Sequence, residues 1–284
     1  MANDNSFTFE GGPVAVLLVH GLTGTPSEVK AVGKAIARRG YTVHGVQLAG
    51  HCGDEADLLA TGWRDWQRSV EDAFDALKRR HRTVFVGGLS MGALLSLKLA
   101  ADRPGDVAGL LLYSTTLFYD GWAIPWTRVL VKPALALGFA RWVRFVEAPP
   151  YGIKDDRLRA RIVKSMLSGD SAGAGNAATP GRSLQELHRL IAVVNKTLPT
   201  IRTPALVVHA RDDDMTSLRN AGHLAARLGG DVEKVVLDDS YHMVTLDKDR
   251  DRLIEASVAF IGRRGAQPTA EAARGVPLLK VRAR

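Results

Sequence analysis

Runs rich in apolar and β-branched residues, at 14–19, 41–47, 83–86, 107–113, 205–209 and 232–237, alternate with longer stretches of helical period. Few folds accept that alternation. Runs that are apolar almost throughout suit strands buried on both faces, and strands separated by helices run parallel. The pattern therefore predicts a mostly parallel, doubly wound α/β sheet with helices on both sides. Residues 7–10 read as a first edge strand. The expected sheet has eight strands, or seven if that edge strand fails.

Helical signals fall between the runs. Thr25 is placed to cap a helix over 26–39, with Pro26 in the first turn and Glu28 closing a capping box. Trp63, Trp66, Val70, Phe74 and Leu77 recur at helical spacing, predicting a helix over 63–80. Another is expected from Met91 to Asp102, and the last over 247–263. Between 115 and 200 the alternation stops. That segment shows helical patches near 125–145, 154–167 and 183–197, a second capping box at Ser183 and Glu186, and a Gly-, Ala- and Ser-rich stretch over 168–182. The expected organisation is a core of 1–115 and 201–264, an inserted helical cap of 116–200, and a flexible basic tail of 265–284.

Composition narrows the function classes. The 284 residues contain one cysteine, Cys52, so no intrachain disulfide can form, which suits a reducing compartment. The N-terminus lacks a basic start and an apolar run, and no apolar stretch approaches the ~18–20 residues of a membrane span. These features place the chain in the cytoplasm. The formal net charge of +8 is scattered, apart from Arg274, Lys280, Arg282 and Arg284 in the tail, and no nucleic-acid-binding motif accompanies it.

The chemistry-bearing signal is Gly88-Leu89-Ser90-Met91-Gly92, which follows the 83–86 strand and runs straight into a helix. A serine on so tight a turn needs nearly side-chain-free neighbours two before and two after it, and the turn lifts its hydroxyl above the sheet. Such a hydroxyl is a weak nucleophile. It needs an imidazole to take its proton and a carboxylate to orient that imidazole. The chain order for this arrangement is serine, acid, histidine. Downstream lie His188 in the cap, His209 inside an apolar strand, His223 on a helix, and His242 just after the last strand, which is where the base belongs. The acid belongs after the 205–209 strand, where Asp212, Asp213 and Asp214 are candidates that spacing alone does not separate. Upstream, His20-Gly21-Leu22-Thr23-Gly24 follows the 14–19 strand. Its backbone can supply one oxyanion amide, from Leu22, to act with that of Met91, and Gly21 lets it approach a substrate. His20 reads as a structural loop histidine.

With these pieces in this order, the chain resembles the α/β-hydrolase superfamily, and more narrowly the small bacterial carboxylesterases grouped with monoacylglycerol lipases. The matching stretches are His20-Gly21-Leu22-Thr23-Gly24-Thr25-Pro26, Leu48-Ala49-Gly50-His51, Trp63-Arg64-Asp65-Trp66, Gly88-Leu89-Ser90-Met91-Gly92, Ala210-Arg211-Asp212-Asp213-Asp214-Met215 and Tyr241-His242-Met243-Val244-Thr245-Leu246-Asp247. The resemblance implies Ser90, Asp213 and His242 as a triad, amides of Leu22 and Met91 as oxyanion hole, no metal and no organic cofactor. It implies a small-molecule ester substrate, of short to medium acyl chain or a monoacylglycerol. The chain departs from the family at Cys52, where a glycine is usual after the histidine, and in the length of its cap.

Trp122 and Trp126, four residues apart, are read as sharing a helix face and as candidates to line an acyl pocket. Together with Trp142, Lys132, Arg141 and Arg144 they are also candidates to meet a membrane surface, while plain packing of the cap on the core, with the basic side chains as ordinary solvation, is at least as good a reading. Rival readings are an amidase or peptidase, a thioesterase or a polyester-oligomer hydrolase on the same triad, and a non-catalytic binding protein on this scaffold. A membrane-surface protein is the weakest. Oligomeric state leaves no trace in the sequence.

Overall fold

The computed structural model describes residues 4–130, 133, 139–141, 143–167, 175 and 178–265. Trp142, Lys132, most of the 168–182 stretch and the tail from 266 lie outside the described residues.

The sheet has seven strands, β1 (Phe7–Phe9), β2 (Val14–Val19), β3 (Thr42–Val46), β4 (Thr83–Leu89), β5 (Gly109–Tyr113), β8 (Ala205–Ala210) and β9 (Val232–Leu237), in the order β1-β3-β2-β4-β5-β8-β9. All pairs are parallel except the edge pair β1–β3. The first edge strand forms, and among the described residues the sheet counts seven strands and not eight. Each apolar run located in the sequence became one strand.

Helices cover both faces. β2 shows how one apolar run serves two layers. Ala15, Leu17 and Val19 pack into the core beneath α3 (Trp63–Lys78) and α4 (Met91–Asp102). Val16 and Leu18 pack into the opposite core beneath α1 (Ser27–Ala37) and α8 (Arg250–Gly265). Alternate side chains of a strand point to opposite faces, so a strand buried on both must be apolar at every position. Trp66 fills the α3 side, fully buried, and its indole N–H donates to Thr61 Oγ1 at 3.1 Å. A short helix, α2 (Glu55–Leu59), was not foreseen in the sequence. Its capping box is Asp54 with Asp57.

The chain leaves the sheet after Tyr113 and returns at Ala205. Between lie short 3₁₀ turns at Trp126–Leu130 and Phe139–Arg141, an antiparallel ribbon of β6 (Arg144–Val146) and β7 (Ala178–Pro180), and helices α5 (Asp156–Leu167) and α6 (Gly181–Thr197). The expected helix through Trp122 and Trp126 does not form. Pro125 has no N–H to give a helix and disfavours helical angles at Ile124, so the turn starts only at Trp126. The Ser183–Glu186 box does not form either. α6 begins two residues earlier, after Pro180 in an extended conformation, which leaves Ser183 inside the helix and Glu186 paired with Arg189. Leu187, Leu190 and Val194 of α6 join the core that contains α4. Among the described residues no helix is long and apolar enough to cross a membrane. α7 (Arg219–Arg227) follows β8.

Candidate active site

Ser90 lies at the C-terminal end of β4, between strand and helix. Its backbone angles are φ 57° and ψ −112°, outside the regions a serine prefers. Its own N–H donates to the Tyr113 carbonyl on β5 at 2.9 Å, which ties the strained turn to the sheet. The flanking glycines are a steric requirement. A Cβ on Gly88 would lie 2.3 Å from the Val19 carbonyl oxygen, and one on Gly92 would lie 2.2 Å from the same atom. The turn is thus pressed against the end of β2, where the next loop begins. The Ser90 hydroxyl pairs with the hydroxyl of buried Thr116 at 2.8 Å.

That loop is held from several sides. His20 is fully buried. Its Nε2 accepts the Leu48 N–H at 3.2 Å, so Nδ1 carries the hydrogen and donates to the Gly21 carbonyl at 2.8 Å. Burial, with His51 beside it, pushes the ring's pKa well below its ordinary value, so it stays neutral. The structural reading of His20 matches these contacts. Glu28 departs from its expected part. It does not close a capping box on Thr25; it reaches back and accepts the Gly21 N–H at 2.8 Å.

The three aspartates separate cleanly in space. Asp212 is exposed. Asp213 is buried and accepts the Met215 N–H at 2.9 Å, the Thr216 N–H at 2.7 Å and the Thr216 hydroxyl at 3.0 Å. Its carboxylate also meets His242 Nδ1 at 2.9 and 3.1 Å. A carboxylate only accepts, so Nδ1 carries the hydrogen and Nε2 keeps its lone pair. Asp214 is buried too. It accepts the N–H groups of Gly152 and His242, locking the loop that carries the histidine. Asp247 does the same job from the other side, accepting from Lys154, Asp155 and Tyr241. Burial works against the ionised form of Asp213, but His242 and the N–H donors outweigh it and hold the carboxyl below its usual range. For His242, burial lowers the affinity for a proton, and Asp213, with Asp214 and Glu28, more than restores it. The net pKa lies above the ordinary 6.5.

Ser90 and His242 line one cavity of about 100 Å³, together with Gly21, Tyr119, Glu147 and Ile162. A larger groove of about 670 Å³, along Gln47, His51 and Ser69, contains neither. Trp122 and Trp126 do not line the cavity. They are 59% and 77% exposed, and the Trp122 indole N–H donates to the Asp212 carbonyl at 2.9 Å. Cys52 is buried, and its burial pushes the thiol up to about 11, which makes it a poor nucleophile. Among the described residues no group of three or more His, Cys, Asp or Glu is placed to hold a metal ion.

Sequence reasoning missed Thr116, Thr216, Glu147 and the part of Glu28. Only Thr216 had a local signal. An aspartate that accepts from residues two and three further on makes a turn in which a hydroxyl is common. The rest are brought in by elements distant in sequence.

The sequence model of the family described as serine aminopeptidase, S33, matches residues 13–249. A thermostable monoacylglycerol lipase from Bacillus sp. (strain H-257) is 34% identical over 258 residues, 90% of this chain and 94% of that one. A carboxylesterase from Bacillus subtilis (strain 168) is 30% identical over 263 residues, covering 90% and 95%. Among solved structures, a metagenome-derived lipolytic enzyme superposes with a TM-score of 0.76 at 26% identity, over 91% of this chain and 97% of the other.

Proposed function

The chain belongs to the serine aminopeptidase S33 family of α/β-hydrolases, and from that premise we propose that it hydrolyses carboxylic esters through an acyl-enzyme formed on Ser90. The observation that carries this reading is His242, bonded to buried Asp213 and lining one cavity with a serine held on a strained turn. In the proposed mechanism the Ser90 hydroxyl turns from Thr116, and His242 Nε2 takes its proton as Oγ attacks the ester carbonyl carbon. The amides of Leu22 and Met91 hold the oxygen that becomes negative. The tetrahedral intermediate expels the alcohol oxygen, which takes the proton from His242. Water then attacks the acyl-enzyme with the same histidine as base; the bond from the acyl carbon to Ser90 Oγ breaks, His242 returns the proton to Oγ, and the acid leaves. Asp213 stays ionised throughout and orients the ring.

The small cavity and the relatives named above support short to medium acyl esters or monoacylglycerols as substrates. A panel of p-nitrophenyl esters from acetate to palmitate, with p-nitroanilides beside them, tests this. Turnover should fall from the short and medium esters to palmitate and be negligible on the anilides. Anilide turnover matching the esters would instead make the chain an amidase.

The acid limb of kcat/KM is a second test. His242 must be neutral to accept the serine proton, so activity should fall as pH drops through its raised pKa, above the ordinary 6.5. Asp213→Asn removes the carboxylate that raises it. The limb should then move to lower pH, and kcat should drop on the order of 10⁴-fold. An unmoved limb would mean that Asp213 does not govern this histidine.

A further inference from the structure

We propose that Glu28 is a positioning residue of the reaction: its carboxylate clamps the Gly21 amide and so fixes the loop that presents the Leu22 N–H. The inference rests on the reading of Leu22 as an oxyanion donor.

Glu28 is the second residue of α1, but its side chain serves the loop seven residues before it. The loop is folded around the carboxylate. A Cβ on Gly24 would lie 1.9 Å from Glu28 Oε1, and one on Gly21 would lie 3.4 Å from Oε2 and 3.7 Å from the Ser90 Cβ. Gly21 is therefore the residue that separates this carboxyl from the proposed nucleophile. Both of its peptide units are held. Glu28 takes its N–H at 2.8 Å; His20 Nδ1–H and the Gly24 N–H take its carbonyl at 2.8 and 3.3 Å. A trans peptide is planar, so the Leu22 N–H points opposite the Gly21 carbonyl. Fixing both ends of Gly21 thus fixes the direction in which Leu22 donates.

A merely structural role accounts poorly for a carboxyl in this position. Among the described residues Glu28 makes no ion pair with a Lys or Arg, its bond being to the Gly21 N–H, and it lines the cavity. An unpaired carboxyl is costly to bury, and burial pushes it up to about 7. The Gly21 N–H opposes that rise, as does His242, while Glu147 across the cavity adds to it. The Cys52 thiol also senses its charge. A glutamine would fill the same space without the burden. A carboxylate grips one N–H more strongly than an amide oxygen does, through charge assistance, and a pKa of about 7 leaves that gain only partly present at neutral pH.

The test is steady-state kinetics on p-nitrophenyl butyrate with Glu28→Ala, Glu28→Asp and Glu28→Gln, and Ser90→Ala as control. Alanine breaks the clamp, and aspartate is one methylene too short to reach. Both should lower kcat by about 10- to 100-fold, less than the outright removal of an oxyanion donor, with KM within about threefold. Glutamine keeps a carbonyl oxygen for the Gly21 N–H and should recover kcat to within about fivefold of wild type. Wild-type kcat in Glu28→Asp, or a glutamine variant no better than aspartate, overturns the clamp even where Glu28→Ala fails to fold. So does a loss confined to KM. Hydrolysis that survives Ser90→Ala overturns the reading of the site itself, and the clamp with it.

Discussion

Ser90→Ala should lower kcat for ester hydrolysis by about 10⁴-fold or more, while the protein keeps its fold. The size follows from the chemistry proposed for the site. Without the hydroxyl no acyl-enzyme forms, and Asp213, His242 and the loop amides can only assist water directly. The fold should survive because alanine occupies the same strained backbone position with a smaller side chain. The interaction lost is the 2.8 Å bond to Thr116, a contribution of about 1 kcal/mol. Circular dichroism and a thermal melt, run beside the ester assay, check both halves. More than about one per cent of wild-type turnover would remove Ser90 as nucleophile.

Gly92→Ala should be damaging in a different way, through stability and geometry together. The added Cβ would sit 2.2 Å from the Val19 carbonyl oxygen and 2.7 Å from that of His20. Both are backbone atoms at the end of β2, a central strand paired on both sides, so neither can yield cheaply. Overpacking of this kind costs about 1–3 kcal/mol. At ~2–4 °C per kcal/mol for a chain of this size, the melting temperature should fall by about 2–12 °C. Relief must come from moving the serine turn away from the loop after β2, which separates Ser90 and Met91 from Leu22. A displacement near 1 Å in such an arrangement costs about 100-fold in rate, so kcat/KM should fall by at least that much even in the folded fraction. A melt and a rate both unchanged would mean the turn is not pressed on β2 as described.

Much of the fold was legible because it is local. Each apolar run in the sequence became a strand, and 14–19 and 232–237 did so at the expected bounds. The helix after Ser90 began at Met91 and ended at Asp102, as the pattern required. The middle segment was less legible. At Trp122 and Trp126 helical spacing meets Pro125, and local sterics there outweigh periodicity, so the chain forms a short 3₁₀ turn from Trp126 to Leu130; the rest of the expected 125–145 patch lies partly outside the described residues. The capping boxes failed for a related reason. Ser/Thr-x-x-Glu states what a helix start can do, but Glu28 found a stronger competitor in the Gly21 amide, and Glu186 found Arg189.

The sequence by itself determined the strand–turn–helix around Ser90 and its glycine neighbours, because both depend on backbone sterics over a few residues. Only the tertiary structure decided which aspartate meets His242, since that contact joins residues 29 apart on two loops. It also decided that Glu28, at the start of the first helix, and Glu147, in the segment between β5 and β8, line one cavity. A residue's identity limits what it can bond to. Which bond it makes depends on what the packed sheet brings within 3 Å, and neighbours along the chain do not carry that information.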